Sequence, residues 1–329
     1  LEDAVRIKIK AGWIALGAAA CALAAPVWSQ PYPNKPLKMI LPFPAGGPTD
    51  IVARALGQGL TEALGHNVVI DNRPGGGGVI GAVLAAKSPG DGYTLFLGGI
   101  ATLGVAPSVH KNLPFDPLKD FLPVTQATRQ HIMLMTHPSL PVKSVREFIA
   151  LAKAHPGEIN YASSGPGGSG HMAGELFKLI TKVNLVHIPY KGAPPALNEL
   201  IAGQVQVMFG TMLAAVPHVR SGRIRAIAVT GAQRTQALPE VKTFAEAGLP
   251  TYDASSWNGI LVPVGTPRAV VERLNGELVR ILKTPDIRER LEQDGAEPAP
   301  TTPEEFAAFI KSEIAKWAKV VQAAHIRID

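Results

Sequence analysis

Two stretches of the chain share one grammar. Leu37 to Asp50 (LKMILPFPAGGPTD) and Ile159 to His171 (INYASSGPGGSGH) each run from an apolar strand through a loop of Gly, Pro, Ser and Thr into an amphipathic helix. Helix-period apolar residues follow both loops: Ile51, Val52, Ala55, Leu56, Leu60 and Leu64 after the first, Met172, Leu176, Leu179 and Ile180 after the second. A helix that starts directly after such a loop offers backbone N–H groups without partners and the positive end of its dipole, so each turn is a seat for an anion. Gly-rich strand-to-helix turns also occur simply to reverse the chain. Two of them, with the hydroxyls of Thr49, Ser163, Ser164 and Ser169 at or near the helix starts, read as a clamp.

The 329 residues exceed what one core usually holds, which points to two domains. The first 29 residues stand apart from the rest. Arg6, Lys8 and Lys10 precede an uncharged, Ala-rich run from Ala11 to Val27, and Val27-Trp28-Ser29 puts small residues at minus three and minus one of a cut before Gln30. These are the n-, h- and c-regions of a secretory signal peptide; Pro26, Pro31 and Pro33 confine the helical part to about 15 residues, short of the roughly 20 that span a bilayer. The expected location is periplasmic. The only cysteine, Cys21, lies in that segment, so disulfides, a cysteine nucleophile and thiolate metal sites are excluded from the mature chain. The mature chain carries 29 Lys and Arg against 24 Asp and Glu, a net charge of +5, which favours encounter with small anions. Its basic residues are scattered and not interleaved with aromatics, so no nucleic-acid partner is expected.

From Leu37 strands and helices alternate: strand Leu37 to Leu41, helix Thr49 to Leu64, strand Val68 to Asp71, helix Val79 to Lys87, strand Thr94 to Leu97. This is α/β order with parallel strands. Val124 to Thr136 is extended without a helix signal and reads as a crossing between domains. The grammar then repeats with helix Ser144 to Ala154, strand Ile159 to Ala162, helix Ser169 to Thr181, strand Leu185 to Pro189, helix Pro195 to Ala202 and strands Val205 to Phe209 and Ile224 to Thr230. Tyr252 to Pro263 reads as the return crossing, which makes the first domain discontinuous. At the C-terminus Thr266-Pro267, Thr284-Pro285 and Thr302-Pro303 each read as an N-cap hydroxyl followed by Pro at the first helical position, and Phe306, Phe309, Ile310, Ile314 and Trp317 as a core-facing stripe.

Thr49 and the amides of Gly46 and Gly47 either grip a carboxylate or, with Asp50, cap the helix; Asp50 would repel a bound anion, so it reads as orienting the loop. Ser169 lacks the Gly two residues on that a hydrolase elbow needs, because His171 stands there. His171 reads as a helix-start or packing histidine, with ligand contact as the alternative. Tyr190 and Lys191 end a strand and either meet an anion or sit at a solvated domain edge; the residues leave both open. Asn72 to Gly78 (NRPGGGG) lacks the Lys-Ser/Thr of a phosphate loop, and the nine histidines lack metal-ligand spacing. No cofactor, metal or catalytic residue is expected.

Taken together, Tyr32-Pro33-Asn34-Lys35-Pro36, Pro42-Phe43-Pro44-Ala45-Gly46-Gly47, Asn72-Arg73-Pro74-Gly75, Pro89-Gly90-Asp91-Gly92-Tyr93, Ala162-Ser163-Ser164-Gly165, His187-Ile188-Pro189-Tyr190-Lys191-Gly192, Glu246-Ala247-Gly248 and Trp257-Asn258-Gly259 resemble the Bug-type periplasmic receptors of tripartite tricarboxylate transporters. The resemblance implies a two-domain α/β fold like the type II periplasmic binding proteins, with a ligand cleft between domains joined by two crossing segments. Residues 30–128 with 253–329 would form one domain and 129–252 the other. It implies a receptor, not an enzyme, that closes about its hinge on a small di-, tri- or aromatic carboxylic acid and hands it to a two-component membrane permease, acting as a monomer. The carboxylate would be held by the first loop (Phe43, Ala45, Gly46, Gly47, Thr49) and the facing loop (Ser163, Ser164, Gly165, Gly168, Ser169). The turn with Gly98 and Thr102, the segment Tyr190, Lys191 and Gly192, and the strand end with Gly210 and Thr211 would complete the pocket. Many relatives carry Asp where this chain has Gln206 and Gly210, and His where Leu103 stands. Loss of an acid at the rim disfavours ligands with an amino group and suits a carboxylate with an apolar body. A ligand-presenting signalling receptor, and a hydrolase using Ser169 and His171, are the alternatives.

Overall fold

Among the described residues eleven strands gather into two sheets, and the order in which the chain visits them explains the crossings. The computed structural model describes residues 32–293 and 295–327; the signal-peptide reading falls outside them. In chain order the elements are β1 (Leu37–Leu41), α1 (Pro48–Leu64), β2 (Val68–Asn72), α2 (Val79–Ala86), β3 (Thr94–Gly99), a π-helical turn at Ile100–Val105, α3 (Ala106–Val109), β4 (Phe121–Gln130) and β5 (Ile132–Thr136). They continue with α4 (Val145–Ala154), β6 (Asn160–Ser163), α5 (Ser169–Thr181), β7 (Val186–Pro189), α6 (Ala193–Ile201), β8 (Val207–Thr211), α7 (Val216–Arg220) and β9 (Arg225–Val229). The last are β10 (Ser256–Pro263), α8 (Arg268–Leu282), α9 (Pro285–Gln293), β11 (Ala296–Pro298) and α10 (Pro303–Ala323).

One sheet has the order β11-β4-β10-β3-β1-β2 and the other β7-β6-β8-β5-β9. The expected parallel pairing holds for β1 with β2 and β3, and for β6 with β7 and β8. Both sheets are nevertheless mixed. β10 lies antiparallel between β3 and β4, and β5 antiparallel between β8 and β9. The physical reason lies in the crossings: β4 and β5 are separated by His131 alone, so the chain leaves one sheet and enters the other without a helical crossover, and the return after β9 enters the first sheet in the opposite sense. The extended segments are therefore core strands, and all eight residues of β10 are buried.

Local chemistry places the helices. α1 begins with Pro48 and ends at Gly65, whose φ of 70° supplies the left-handed C-cap; Val52, Leu56, Leu60 and Leu64 form its buried face. Ser144 accepts from the Glu147 amide to start α4, and Thr302 with Glu305 forms a full capping box on α10. The other two expected caps are corrected. Thr266 and Thr284 donate their hydroxyls to the carbonyls of Pro263 and Ile281, which turns them back on the preceding turn instead of forward to the helix.

Two buried polar clusters tie the sheets to their helices. On α10 the Glu313 carboxylate accepts from the indole N–H of both Trp257 on β10 and Trp317, each at 2.9 Å, while Phe306 and Phe309 meet the Trp257 ring edge-on. Beneath the second sheet, Tyr161 and His171 both stack on His187, with centroids 4.9 and 4.0 Å apart, and Glu175 accepts from the Tyr161 hydroxyl at 2.7 Å and from Lys178 at 2.9 Å. Burial pushes the His187 pKa down to about 3, with His171 and Lys178 adding to the effect. Burial also lowers that of His171, against the pull of Glu175.

Both clusters predict stability effects. Glu313→Ala leaves two buried indole donors unpaired and is expected to cost about 2–4 kcal/mol, read as a lower urea midpoint; an unchanged midpoint would remove the clasp from the account. For the imidazoles, the folded pKa lies below the unfolded value of about 6.5, so the unfolded chain binds more protons in acid. Their stabilisation is present above about pH 6.5 and lost as pH falls toward the folded value. The depressed carboxylates, such as Asp50 and Asp253, act only in a lower window. Urea titrations are expected to show about 2–3 kcal/mol lost through His187 between pH 6.5 and 4.5, and a flatter profile in His187→Gln; equal profiles in the two proteins would contradict this.

Candidate functional site

At the ends of the two sheets a narrow cavity forms where loops from both converge. Counting its open mouth, the space between atoms is about 620 Å³.

The first loop, between β1 and α1, is held from behind by Asp50. Its carboxylate accepts from the Gly46 amide at 3.0 Å, from Arg54 at 2.8 and 3.2 Å and from Asn72 at 3.1 Å, and Asn72 also donates to the Phe43 carbonyl. Burial alone would raise the Asp50 pKa; the hydrogen bonds from Arg54, Gly46 and Asn72 and the Arg54 charge together hold it below the ordinary carboxylate range. Asp50 thus orients the loop and lies off the cavity. It also takes the Gly46 N–H, so that amide is not free for a ligand, and Gly47 is the N-cap of α1 with no side-chain cap. Thr49 is left facing the cavity, 7% exposed, with no hydrogen-bond partner for its hydroxyl among the described residues.

The second loop runs from β6 to α5. Ser163 is fully buried and bonds to His187 Nε2 at 2.6 Å and to the Gly165 amide at 3.2 Å; the Gly167 amide donates to His171 Nδ1 at 3.0 Å. Ser164, Ser169 and Gly170 face the cavity. Gly170 is required there: a β-carbon would lie 2.1 Å from the Phe209 carbonyl oxygen, so only glycine lets the first turn of α5 rest on the end of β8. The first N–H groups of such a helix have no acceptor within it. Across the crevice the β1–α1 loop comes close to the turn between β7 and α6, since a β-carbon on Gly192 would lie 2.5 Å from Pro44 Cγ.

Of the residues expected at the site, Phe43, Gly47, Thr49, Ser164, Ser169, Gly210 and Thr211 line the cavity. Ala45, Gly46, Gly98, Thr102, Ser163, Gly165, Gly168, Tyr190, Lys191 and Gly192 do not. Several of these shape it from behind: Thr102 bonds to Gly99 on both sides of its hydroxyl, Ser163 pins Gly165, and Gly98 packs on Leu103, itself a core residue rather than a rim residue. Gln206 is also off the rim, accepting from the Asn160 amide at the start of β6. His171 is a loop support, as its Nδ1 bond to Gly167 shows, and its Nε2 faces Glu175 at 4.0 Å.

Sequence reasoning gave no role to Gln130, Ser256 and Asn258. Ser256 pairs with Gln130 across β10 and β4, and Gln130 Nε2 donates to Asn258 Oδ1 at 2.5 Å. The Trp257 indole turns to α10, so by strand alternation Ser256 and Asn258 point to the opposite face, toward the cavity. The signal was present as the polar residues Thr128 and Gln130 in an extended stretch, but its meaning depends on pairing with a strand more than 120 residues away. Among the described residues no lining residue has an ionisable side chain. Five hydroxyls, those of Thr49, Ser164, Ser169, Thr211 and Ser256, face the cavity without a partner among the described residues.

Comparison with known proteins agrees with this architecture. The family model described as tripartite tricarboxylate transporter family receptor matches residues 52–326. The chain is similar to Protein BugT of Bordetella pertussis, 40% identical over 305 residues that cover 92% of this chain and 94% of BugT. Among solved structures it resembles Rhodopseudomonas palustris Rpa4515 with adipate, at 37% identity and a TM-score of 0.88, covering 90% of this chain and 99% of that one. It also resembles MatC from the same organism with bound malate, at 34% identity and a TM-score of 0.83, covering 88% and 100%. The two sheet-based domains and the match along most of its length place one conclusion beyond the fold: the chain belongs to the receptor family of tripartite tricarboxylate transporters.

Proposed function

We propose that the protein is a periplasmic receptor that captures a small carboxylate between the β1–α1 and β6–α5 loops by hinge closure and delivers it to a two-component membrane permease of the tripartite tricarboxylate type. The observation that carries this reading is the cavity itself: five unpartnered hydroxyls and the first turn of α5 converge on a space that no ionisable side chain enters. Hydroxyls and helix-start amides are donors matched to carboxylate oxygens, and such bonds strengthen when one partner is charged. An ammonium group would find no carboxylate there, which favours acids without an amino group. Phe43, Pro44, Ile100, Ala101 and Pro194 supply an apolar wall for the ligand's body.

The adipate and malate held by the two relatives support the ligand class. The sheet of β1, β2, β3, β4, β10 and β11 serves as one domain and the sheet of β5 to β9 as the other, hinged at the two crossings, and the receptor acts as a monomer. A binding rather than a catalytic role is favoured because both His171 nitrogens are directed to Gly167 and Glu175, which leaves Ser169 without a base.

Calorimetric titration with adipate, malate and benzoate is expected to show binding of at least one, with thermal stabilisation that grows with its concentration. Thr49→Ala and Ser164→Ala are each expected to weaken that binding by about 1–2 kcal/mol, the value of a lost hydrogen bond to a charged group. No response to any carboxylate, with another ligand class stabilising the protein, would overturn the reading.

A further inference from the structure

Behind the second loop lies a group of side chains, those of Ser163, His171 and His187, that do not line the cavity. The loop from Ser163 to Ser169 is glycine-rich, with φ of 130° at Gly165 and 69° at Gly167, and a chain of this composition has little intrinsic preference for one shape. Its shape is imposed by two stacked imidazoles. His187, on β7, bonds to Ser163 Oγ, which in turn takes the Gly165 amide and so shapes the first half of the loop. His171, in the first turn of α5, accepts the Gly167 amide at Nδ1 and so shapes the second half. The rings lie 4.0 Å apart and 11° from parallel, so neither can rotate without displacing the other.

We propose that His171 is a positioning residue for ligand capture: by accepting the Gly167 N–H it holds the β6–α5 loop in the shape that aims Ser164, Ser169 and the α5 amides into the cavity. The inference rests on the reading of that cavity as the ligand site. An amide N–H can be accepted only by an unprotonated Nδ1, so the ring must be neutral with its proton on Nε2. Its surroundings agree with that state: His187 faces it from β7, Glu175 and Lys178 from α5, and Tyr161 lies beyond His187 on β6. Burial lowers the pKa of both imidazoles. The loop is thereby ordered before ligand arrives, so binding does not have to supply the free energy of ordering six or seven glycine-rich residues.

The test separates the hydrogen bond from the packing. His171→Asn keeps an acceptor near the place of Nδ1 and loses ring volume; His171→Leu keeps apolar volume and loses the acceptor. Each purified protein is titrated with whichever of adipate, malate and benzoate binds the unmodified protein, after circular dichroism and thermal melting establish that it is folded. Asn is expected within about threefold of the unmodified affinity and Leu weaker by about tenfold or more. Hydrogen exchange of the peptide spanning residues 163–169, without ligand, is expected to be faster in the Leu variant and unchanged in the Asn variant. Equal affinities for Leu and the unmodified protein, or an Asn variant weaker than Leu, would overturn the proposal. Absence of carboxylate binding by the unmodified protein would instead overturn the site reading.

Discussion

The first turn of α5 rests on the end of β8 so closely that the Phe209 carbonyl fills the space a side chain at position 170 would need. That approach brings the free amides of one helix to the edge of the cavity and fixes the distance between the β6–α5 loop and the strand end at Gly210 and Thr211. Phe209 can hold this position because its ring is locked in the core against Tyr161 and Phe177. The sheet core and the ligand seat are one packing problem here, solved by a glycine on one side and an aromatic anchor on the other.

The two strand-to-helix loops look equivalent in sequence but are electrostatically different. The start of α1 carries its own anion: Asp50 occupies the loop amide at Gly46, is neutralised by Arg54, and Pro48 contributes no N–H at the first helical position. The start of α5 has no acidic residue in its first turn and no side-chain cap. Helix-start attraction for an external anion is therefore concentrated on one side of the crevice, and the other side presents Thr49. The two helix starts do not form a symmetric clamp.

Where local periodicity decides the outcome, sequence and structure coincide: Leu37 to Leu41 and Ser169 to Thr181 are read residue for residue. What sequence could not display is how distant strands meet. β10 reads as a connecting segment because Tyr252 to Pro263 is extended, yet it lies between β3 and β4, and its Ser256 and Asn258 reach the cavity. Thr266-Pro267 and Thr284-Pro285 satisfy the local rule for a helix start, but their hydroxyls bond backward to the carbonyls of Pro263 and Ile281, and the N-cap of α8 is Pro267, one residue after Thr266. Gly46 and Ser163 illustrate the remaining gap. Both belong to loops that face the cavity, and both spend their donors on internal partners, Asp50 and the His187–Gly165 pair, which only coordinates reveal.

A cavity lined by neutral donors has a consequence for release as well as capture. A buried Lys or Arg would bind a carboxylate through an ion pair whose rupture leaves an unpaired charge out of water, a cost that slows dissociation. Hydroxyls and amides carry no such charge and are simply rehydrated when an anion leaves, which fits the proposed role of capture followed by delivery. Among the described residues the same lining has no group that titrates near neutral pH, so their charge stays constant while the surroundings acidify. Any response of binding to pH then comes from the ligand's own carboxyl groups or from the imidazole stack behind the second loop, where protonation removes the acceptor that Gly167 uses.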